Sequence, residues 1–350
     1  MESGNGSTRG KRILGMVIAD FFIFAVLLLT FAYFHHVRVD RMQPVEILSA
    51  NTPAPVLVPA ATPTPAGDLP AIAPAATPDP NDLLKGKFAD RFTRGGVVRD
   101  GNSYKSENVS VTLEKVETGK VTYYVADIYV RDVTCLRTAV ALEHIDFNRM
   151  PTLEMATLNG AVAAISGDYF AFRKSGNVAV RNGREWIRKE PLASDILVLY
   201  TDGTMEAYCA YNDPDLDAIY ARGPYQIWCF GPVLLTGGEV PKSYNTTVGG
   251  LNPRAAIGYY EPGHYCFVLV DGRQKNYSVG MTIPELSNLF YNLGCKLAFN
   301  LDGGDTAVMT FNNEVASHPE GGEARDVSDI IYVAEPLTSA SYLTQPQGAQ

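Results

Sequence analysis

The sequence predicts an α+β fold of mixed, strand-rich sheets flanked by a few helices. Three observations carry that reading. Between residues 83 and 336 the chain repeats short runs of β-branched and aromatic residues separated by Gly, Asn and Asp, the pattern of strands and turns. Two segments there keep the helical spacing of apolar residues and carry start and stop signals. The Pro/Ala-rich stretch at 44–81 has a different composition and cannot build a packed core.

Residues 1–12 read as a short cytoplasmic N-terminus. The run at 13–34 is almost wholly apolar and close to the roughly 20 residues that cross a bilayer as a helix. Arg9, Lys11 and Arg12 precede it and Arg38 and Arg41 follow it, a weak positive-inside bias. It is longer than a signal-peptide core, and no A-x-A site follows closely. The expectation is an uncleaved, single-pass signal anchor in the cell membrane, with everything after it extracytoplasmic. Residues 35–82 form a Pro/Ala-rich linker without an aromatic cluster. At roughly 3 Å per residue it would hold a domain on the order of 100 Å from the membrane. The folded part is expected at 83–336, and 337–350 reads as a disordered tail.

Within the folded part, "SVTLEKVE", "VTYYVADIYV", "DILVLYT", "RAAIGYY", "YCFVLVDG", "KLAFNL", "TAVMTF" and "SDIIYVA" read as strands. "MTIPELSNLFYNLGC" reads as a helix. Thr282 is its N-cap, Glu285 completes a capping box, Pro284 sits in the first turn and Gly294 ends it. "PTLEMATLNG" is a shorter helix ending the same way.

With a net charge of −9 and no basic run interleaved with aromatics, nothing suggests a nucleic-acid partner. Five cysteines (Cys135, Cys209, Cys229, Cys266 and Cys295) lack C-x-x-C spacing, so a zinc site is not expected. One disulfide stays open, and the odd count forbids pairing all five within one chain. His144, His264 and His318 show no H-x-H or H-E-x-x-H spacing, and no G-x-S-x-G elbow exists.

Carboxylates and arginines at strand ends remain. Asp168 follows the apolar "AVAAIS", and Arg254 opens "RAAIGYY". Asp271 and Arg273 follow "YCFVLV", and Arg325 precedes the last strand. Asp302-Gly303-Gly304-Asp305 lies between two apolar runs. Asp-Gly in that setting is either an ordinary hairpin turn or a loop whose bare backbone admits a ligand beside two carboxylates. Taken together, carboxylates and arginines suit an anionic substrate cleaved by carboxylate chemistry.

The stretches "NPRAAIG", "VDGRQ", "GMTIPELSNLFYNLGCKLAFNLDGGDTAVM" and "RDVSDIIYV", with "NGAVAAISGDYF" before them, resemble the phosphodiester glycosidase family. The resemblance implies a single catalytic domain. It also implies hydrolysis of a sugar-1-phosphodiester of the N-acetylglucosamine-1-phosphodiester type at its anomeric carbon, on a cell-envelope polymer or exopolysaccharide. Asp302 is then the first catalytic candidate, with Asp271 and Asp168 next. Arg254, Arg273 and Arg325 would bind the phosphate, and Gly303, Gly304, Asp305 and Thr306 would line the approach. The family often continues Asp-Gly-Gly with a small residue and a hydroxyl residue, whereas Asp305 precedes Thr306 here. That extra charge either repels a phosphate or holds a cation that bridges to it. Asp168 stands where some relatives carry a second glycine.

The sequence requires no cofactor, while the loop admits a calcium-like divalent cation as an option. Two alternatives stay open: a non-catalytic, envelope-anchored carbohydrate-phosphate binding module, and a structural metal loop at 302–305.

Overall fold

The strand His264–Val270 shows why the sequence has so many unbroken apolar runs. Tyr265, Phe267 and Leu269 face one core, while Cys266, Val268 and Val270 face another. A strand buried on both faces loses the polar alternation of a half-exposed one.

The computed structural model of the chain describes Leu84 and residues 86–143, 148–169 and 177–336. The expected membrane span at 13–34, the linker, the tail at 337–350 and His144 lie outside the described residues. Among those described, no helix is long and apolar enough to cross a membrane. The elements below belong to one compact unit.

In chain order the first strands are β1 (Val98–Asp100), β2 (Ser103–Lys105), β3 (Val109–Thr118), β4 (Val121–Val130), β5 (Leu136–Val140) and β6 (Ala163–Ser166). Next come β7 (Val178–Arg181), β8 (Arg184–Arg188), β9 (Ile196–Tyr200), β10 (Met205–Tyr208), β11 (Pro224–Cys229) and β12 (Val233–Thr236). The last are β13 (Arg254–Glu261), β14 (His264–Val270), β15 (Leu297–Asn300), β16 (Met309–Phe311), β17 (Glu314–Val315) and β18 (Asp329–Val333). The α-helices are α1 (Thr152–Leu158), α2 (Leu216–Ala221) and α3 (Ile283–Asn292).

These strands form an eight-stranded sheet in the order β1-β2-β3-β4-β14-β13-β15-β12 and two five-stranded sheets, β10-β9-β11-β7-β8 and β17-β16-β6-β18-β5. Every pairing between these strands is antiparallel. The sheets are therefore not mixed in strand direction. Many of the connections are tight turns, such as Thr118 to Val121 and Glu261 to His264, which only antiparallel neighbours permit. All eight expected strands are present, the one read at 306–311 only over Met309–Phe311, as are both expected helices.

The central core lies among the three sheets. Ile128, Phe267 and Phe299 of the large sheet meet Leu199 and Trp228 of the second sheet and Ile165, Met309 and Ile331 of the third. Helix α3 covers the other face of the large sheet, with Leu286 and Phe290 packed against Val268, Val270 and Ala298. Fully burying one such side chain is worth about 1.5–3 kcal/mol. The α3 cap forms as read: the Thr282 hydroxyl accepts the Glu285 N–H at 3.3 Å, and the Glu285 carboxylate accepts the Thr282 N–H at 2.8 Å.

Register brings the strand ends of interest to one edge. Arg254 opens β13 opposite Val270 at the end of β14, and Ala256 pairs with Asn300 at the end of β15. The hairpin-turn alternative for 302–305 is overturned here. β15 belongs to the eight-stranded sheet and β16 to a five-stranded one, so the segment crosses between sheets.

Candidate active site

The crossover at 302–306 is built on close backbone approach. A Cβ on Gly303 would lie 2.8 Å from the Pro253 carbonyl oxygen and 3.3 Å from Arg254 Cα, so only glycine lets the loop lie against the start of β13. The Gly304 N–H donates to the same Pro253 carbonyl at 2.9 Å. The Thr306 hydroxyl donates to the Gly303 carbonyl at 2.9 Å and closes the turn. Beneath, the Asp302 N–H donates to the Gly167 carbonyl at 2.9 Å, and the Ser166 hydroxyl donates to the Asp302 carbonyl at 2.7 Å. The ends of β6 and β15 are thereby stitched together.

The three candidate aspartates have three different surroundings. Asp302 keeps 13% of its side chain exposed, and the Arg325 guanidinium stands 3.8 Å from its Oδ2. Asp271 is buried. It accepts the His318 N–H at 3.0 Å and the Tyr277 hydroxyl at 2.9 Å, and burial raises its carboxyl above the usual range against those donors. Asp168 is wholly buried, with Oδ2 accepting the Cys229 N–H at 2.7 Å and facing Arg181 Nη2 at 2.8 Å. Arg181 also meets Asp329 at 3.0 Å, which makes a buried Asp168–Arg181–Asp329 triad. Burial first, and then the Asp168 charge, push the Asp329 carboxyl up to about 7. One cation faces two carboxyl groups there, so a proton retained on Asp329 leaves the triad neutral.

The three arginines also differ. Arg325 donates its backbone N–H to the Asp305 carbonyl at 2.8 Å, and its guanidinium lies 5.9 Å from the centre of the Tyr169 ring. Arg273 forms an ion pair with Asp305 and reaches Asn252 Oδ1 at 3.1 Å. The extra negative charge of the loop is thus met by an arginine of this chain. Arg254 is buried, with Nε donating to the Met281 carbonyl at 3.0 Å and Nη2 donating to the Gly250 carbonyl. Burial first, and then the Arg273 charge, lower its guanidinium to about 10.

A cavity of about 190 Å³ opens beside the loop and is lined in part by Asp271, Gly304, Asp305, His318 and Glu320. Asp302 is not in its wall. Asp302, Gly303, Gly304, Asp305, Thr306, Arg273 and Arg325 therefore cluster at one crossover. Asp271 borders it, Arg254 lies under it, and Asp168 belongs to the buried triad below. Among the described residues no three His, Cys, Asp or Glu side chains converge to hold a metal ion.

Sequence reasoning missed several neighbours. Tyr169 takes a left-handed φ of +62°, strained for an aromatic residue, immediately after Asp168. Asp329 stood within the quoted "RDVSDIIYV", but its alternation reads as an inward strand residue. Gly167 carries the clearest signal in retrospect: a Cβ there would fall 2.1 Å from Asp329 Oδ1. Nothing in the local sequence marks Arg181, whose partners lie 13 and 148 positions away.

Comparison with known proteins adds an independent line. A family model described as phosphodiester glycosidase matches residues 159–334. The SPbeta prophage-derived uncharacterized protein YomE of Bacillus subtilis (strain 168) is 28% identical over 198 residues, 54% of this chain and 30% of that protein. The match thus takes in less than a third of that relative's length. The catalytic domain of zebrafish N-acetylglucosamine-1-phosphodiester alpha-N-acetylglucosaminidase, solved auto-inhibited by its pro-peptide, aligns with a TM-score of 0.54 at 17% identity. The alignment covers 69% of this chain and 87% of that one, a likeness of fold.

Proposed function

The chain belongs to the phosphodiester glycosidase family, and from that membership we propose that it hydrolyses a sugar-1-phosphodiester at the anomeric carbon. The bond between C1 and the phosphate oxygen breaks, the oxygen of water ends on C1, and the phosphate leaves as a monoester. The observation that carries this reading is Asp302, partly open at a glycine-bared crossover with Arg325 3.8 Å from its carboxylate.

A phosphate is already a good leaving group, so binding its charge matters more than protonating it. Arg325 receives the phosphate, and Arg273, steadied by Asn252 and Asp305, borders the same approach. Asp302 supplies the carboxylate chemistry at C1, by activating water or by stabilising oxocarbenium-like charge. Gly303 and Gly304 leave the backbone bare for the sugar to approach. Arg254 supports the loop from below through the Met281 and Gly250 carbonyls. Asp271 holds the cavity wall, since its oxygens already accept from His318 and Tyr277. Asp168 acts through Arg181 and Asp329 and keeps the floor of the site rigid.

For substrate we propose an N-acetylglucosamine-1-phosphodiester or similar unit of an envelope polymer or exopolysaccharide. The apolar run at 13–34 and the Pro/Ala-rich linker support a tethered, extracytoplasmic domain. Protease added to intact cells should then release the domain. Retention inside the cell would exclude the tether.

The test of the reaction is incubation of the full chain with an aryl N-acetylglucosamine-1-phosphodiester in ¹⁸O-labelled water. Free sugar carrying the label at C1 is expected. Label in the phosphate would mean cleavage at phosphorus and would overturn the assignment.

A further inference from the structure

The α3-covered face of the large sheet holds chemistry that the proposed reaction does not use. We propose that Cys266 and Cys295 are a disulfide-forming pair, joined within the chain when it meets a disulfide oxidant of the glutathione type. Their sulfurs lie 3.7 Å apart, and both side chains are buried. Gly258 sets the geometry. It pairs with Cys266 across the β13–β14 ladder, and a Cβ at that position would lie 2.7 Å from Cys266 Sγ and 2.8 Å from Cys295 Sγ. The two sulfurs therefore converge over one spot that only glycine leaves vacant.

The backbone holds both cysteines to this spot. The Cys295 N–H donates to the Phe290 carbonyl at 3.1 Å, and the Lys296 N–H donates to the Tyr259 carbonyl at 2.8 Å, which fixes the α3–β15 turn against β13. A bonded pair needs about 2.05 Å between sulfurs, within reach of side-chain rotation at a site that holds no intervening Cβ. Cys229, by contrast, turns its sulfur to the Ser194 hydroxyl at 3.3 Å.

The chemistry balances as two exchange steps. One cysteine thiolate attacks the oxidant's S–S bond, forms a mixed disulfide and releases one small thiol. The second cysteine thiolate then displaces the other small thiol. Two S–H bonds are lost, one S–S bond forms, and the oxidant is reduced to two thiols. Burial raises the Cys266 thiol well above its usual range, so the folded pair exchanges slowly and the bond closes chiefly during folding.

Cys295 precedes β15, and Asp302 follows it. The bond fastens the strand at the end away from the proposed reaction, so it should affect persistence of the fold and leave turnover unchanged. It does not depend on the reading of the active site.

The test refolds the full chain in graded mixtures of oxidised and reduced glutathione, quenches with acid, alkylates in denaturant and maps the peptides by mass. A linked peptide pair carrying Cys266 and Cys295, short of two hydrogens, is expected in oxidising mixtures. The oxidised protein should melt about 5–10 °C higher than the reduced one, a difference absent in Cys295→Ala. Full alkylation of both residues in every mixture would overturn the proposal, as would a final state in which either is bonded to another cysteine or both stay bonded to glutathione. The peptide map uses the unmodified sequence and stands even if the variant folds poorly.

Discussion

Asp168 and Asp302 hold matching places in the chain, each a step or two past an apolar strand, and their backbones meet where Gly167 accepts the Asp302 N–H. Their side chains have opposite surroundings. Asp168 is 0% exposed, with its charge met by Arg181 and the Cys229 N–H. Asp302 keeps 13% of its side chain exposed, with the Arg325 guanidinium at 3.8 Å. A carboxylate taken fully out of water must be compensated by fixed partners, and those partners occupy the lone pairs that chemistry would need. A carboxylate that keeps part of its side chain exposed, paired with a cation 3.8 Å away, stays within reach of a substrate. Position after a strand nominates both residues, and the surrounding charge separates them.

The largest effect expected on the buried side is that of Arg181→Met, which leaves two buried carboxyl groups without their cation. It should cost about 3–5 kcal/mol of stability, read from urea unfolding. A loss near zero would mean that the triad does not hold the floor of the site. On the open side, Arg325→Ala should leave the melting temperature nearly unchanged while lowering kcat/KM on the order of 10²-fold. Equal damage from Arg273→Ala would erase the distinction drawn between the two arginines.

The pH dependence sharpens the contrast further. Asp329 rises from 3.8 to about 7, chiefly through burial. Folding therefore takes up a proton between those values, so this contribution to stability is full in acid, falls as pH climbs through that interval and then levels off. Asp329→Asn should flatten that part of the stability curve; an identical slope in the variant would assign it to other groups. The smallest effect belongs to Asp305→Asn. This exposed ion pair with Arg273 should change stability by less than about 1 kcal/mol, measurable by thermal melting.

Much of the fold was legible because its strands are unusually apolar and its main helix carries a complete capping box. Strands such as β11, with "PYQIWC", are less legible because a proline and a glutamine interrupt the apolar pattern. In place, Gln226 and Trp228 join a buried polar network with Thr138. The loop at 302–305 was legible as a site but ambiguous as a turn, since Asp-Gly marks both. Only the assignment of β15 and β16 to different sheets resolved it. The triad was not legible, because Arg181 and Asp329 come from distant strands and neither looks exceptional beside its own neighbours. Burial, which decides what each aspartate does, is a property of the packed sheets and leaves little local mark.

The most direct test of the central claim compares the full chain with its Asp302→Asn variant on the same sugar-1-phosphodiester, following turnover and equilibrium binding together. The account predicts that kcat falls by about 10³-fold or more while the dissociation constant changes little. Turnover retained in Asp302→Asn would contradict it and place the reaction elsewhere in the molecule.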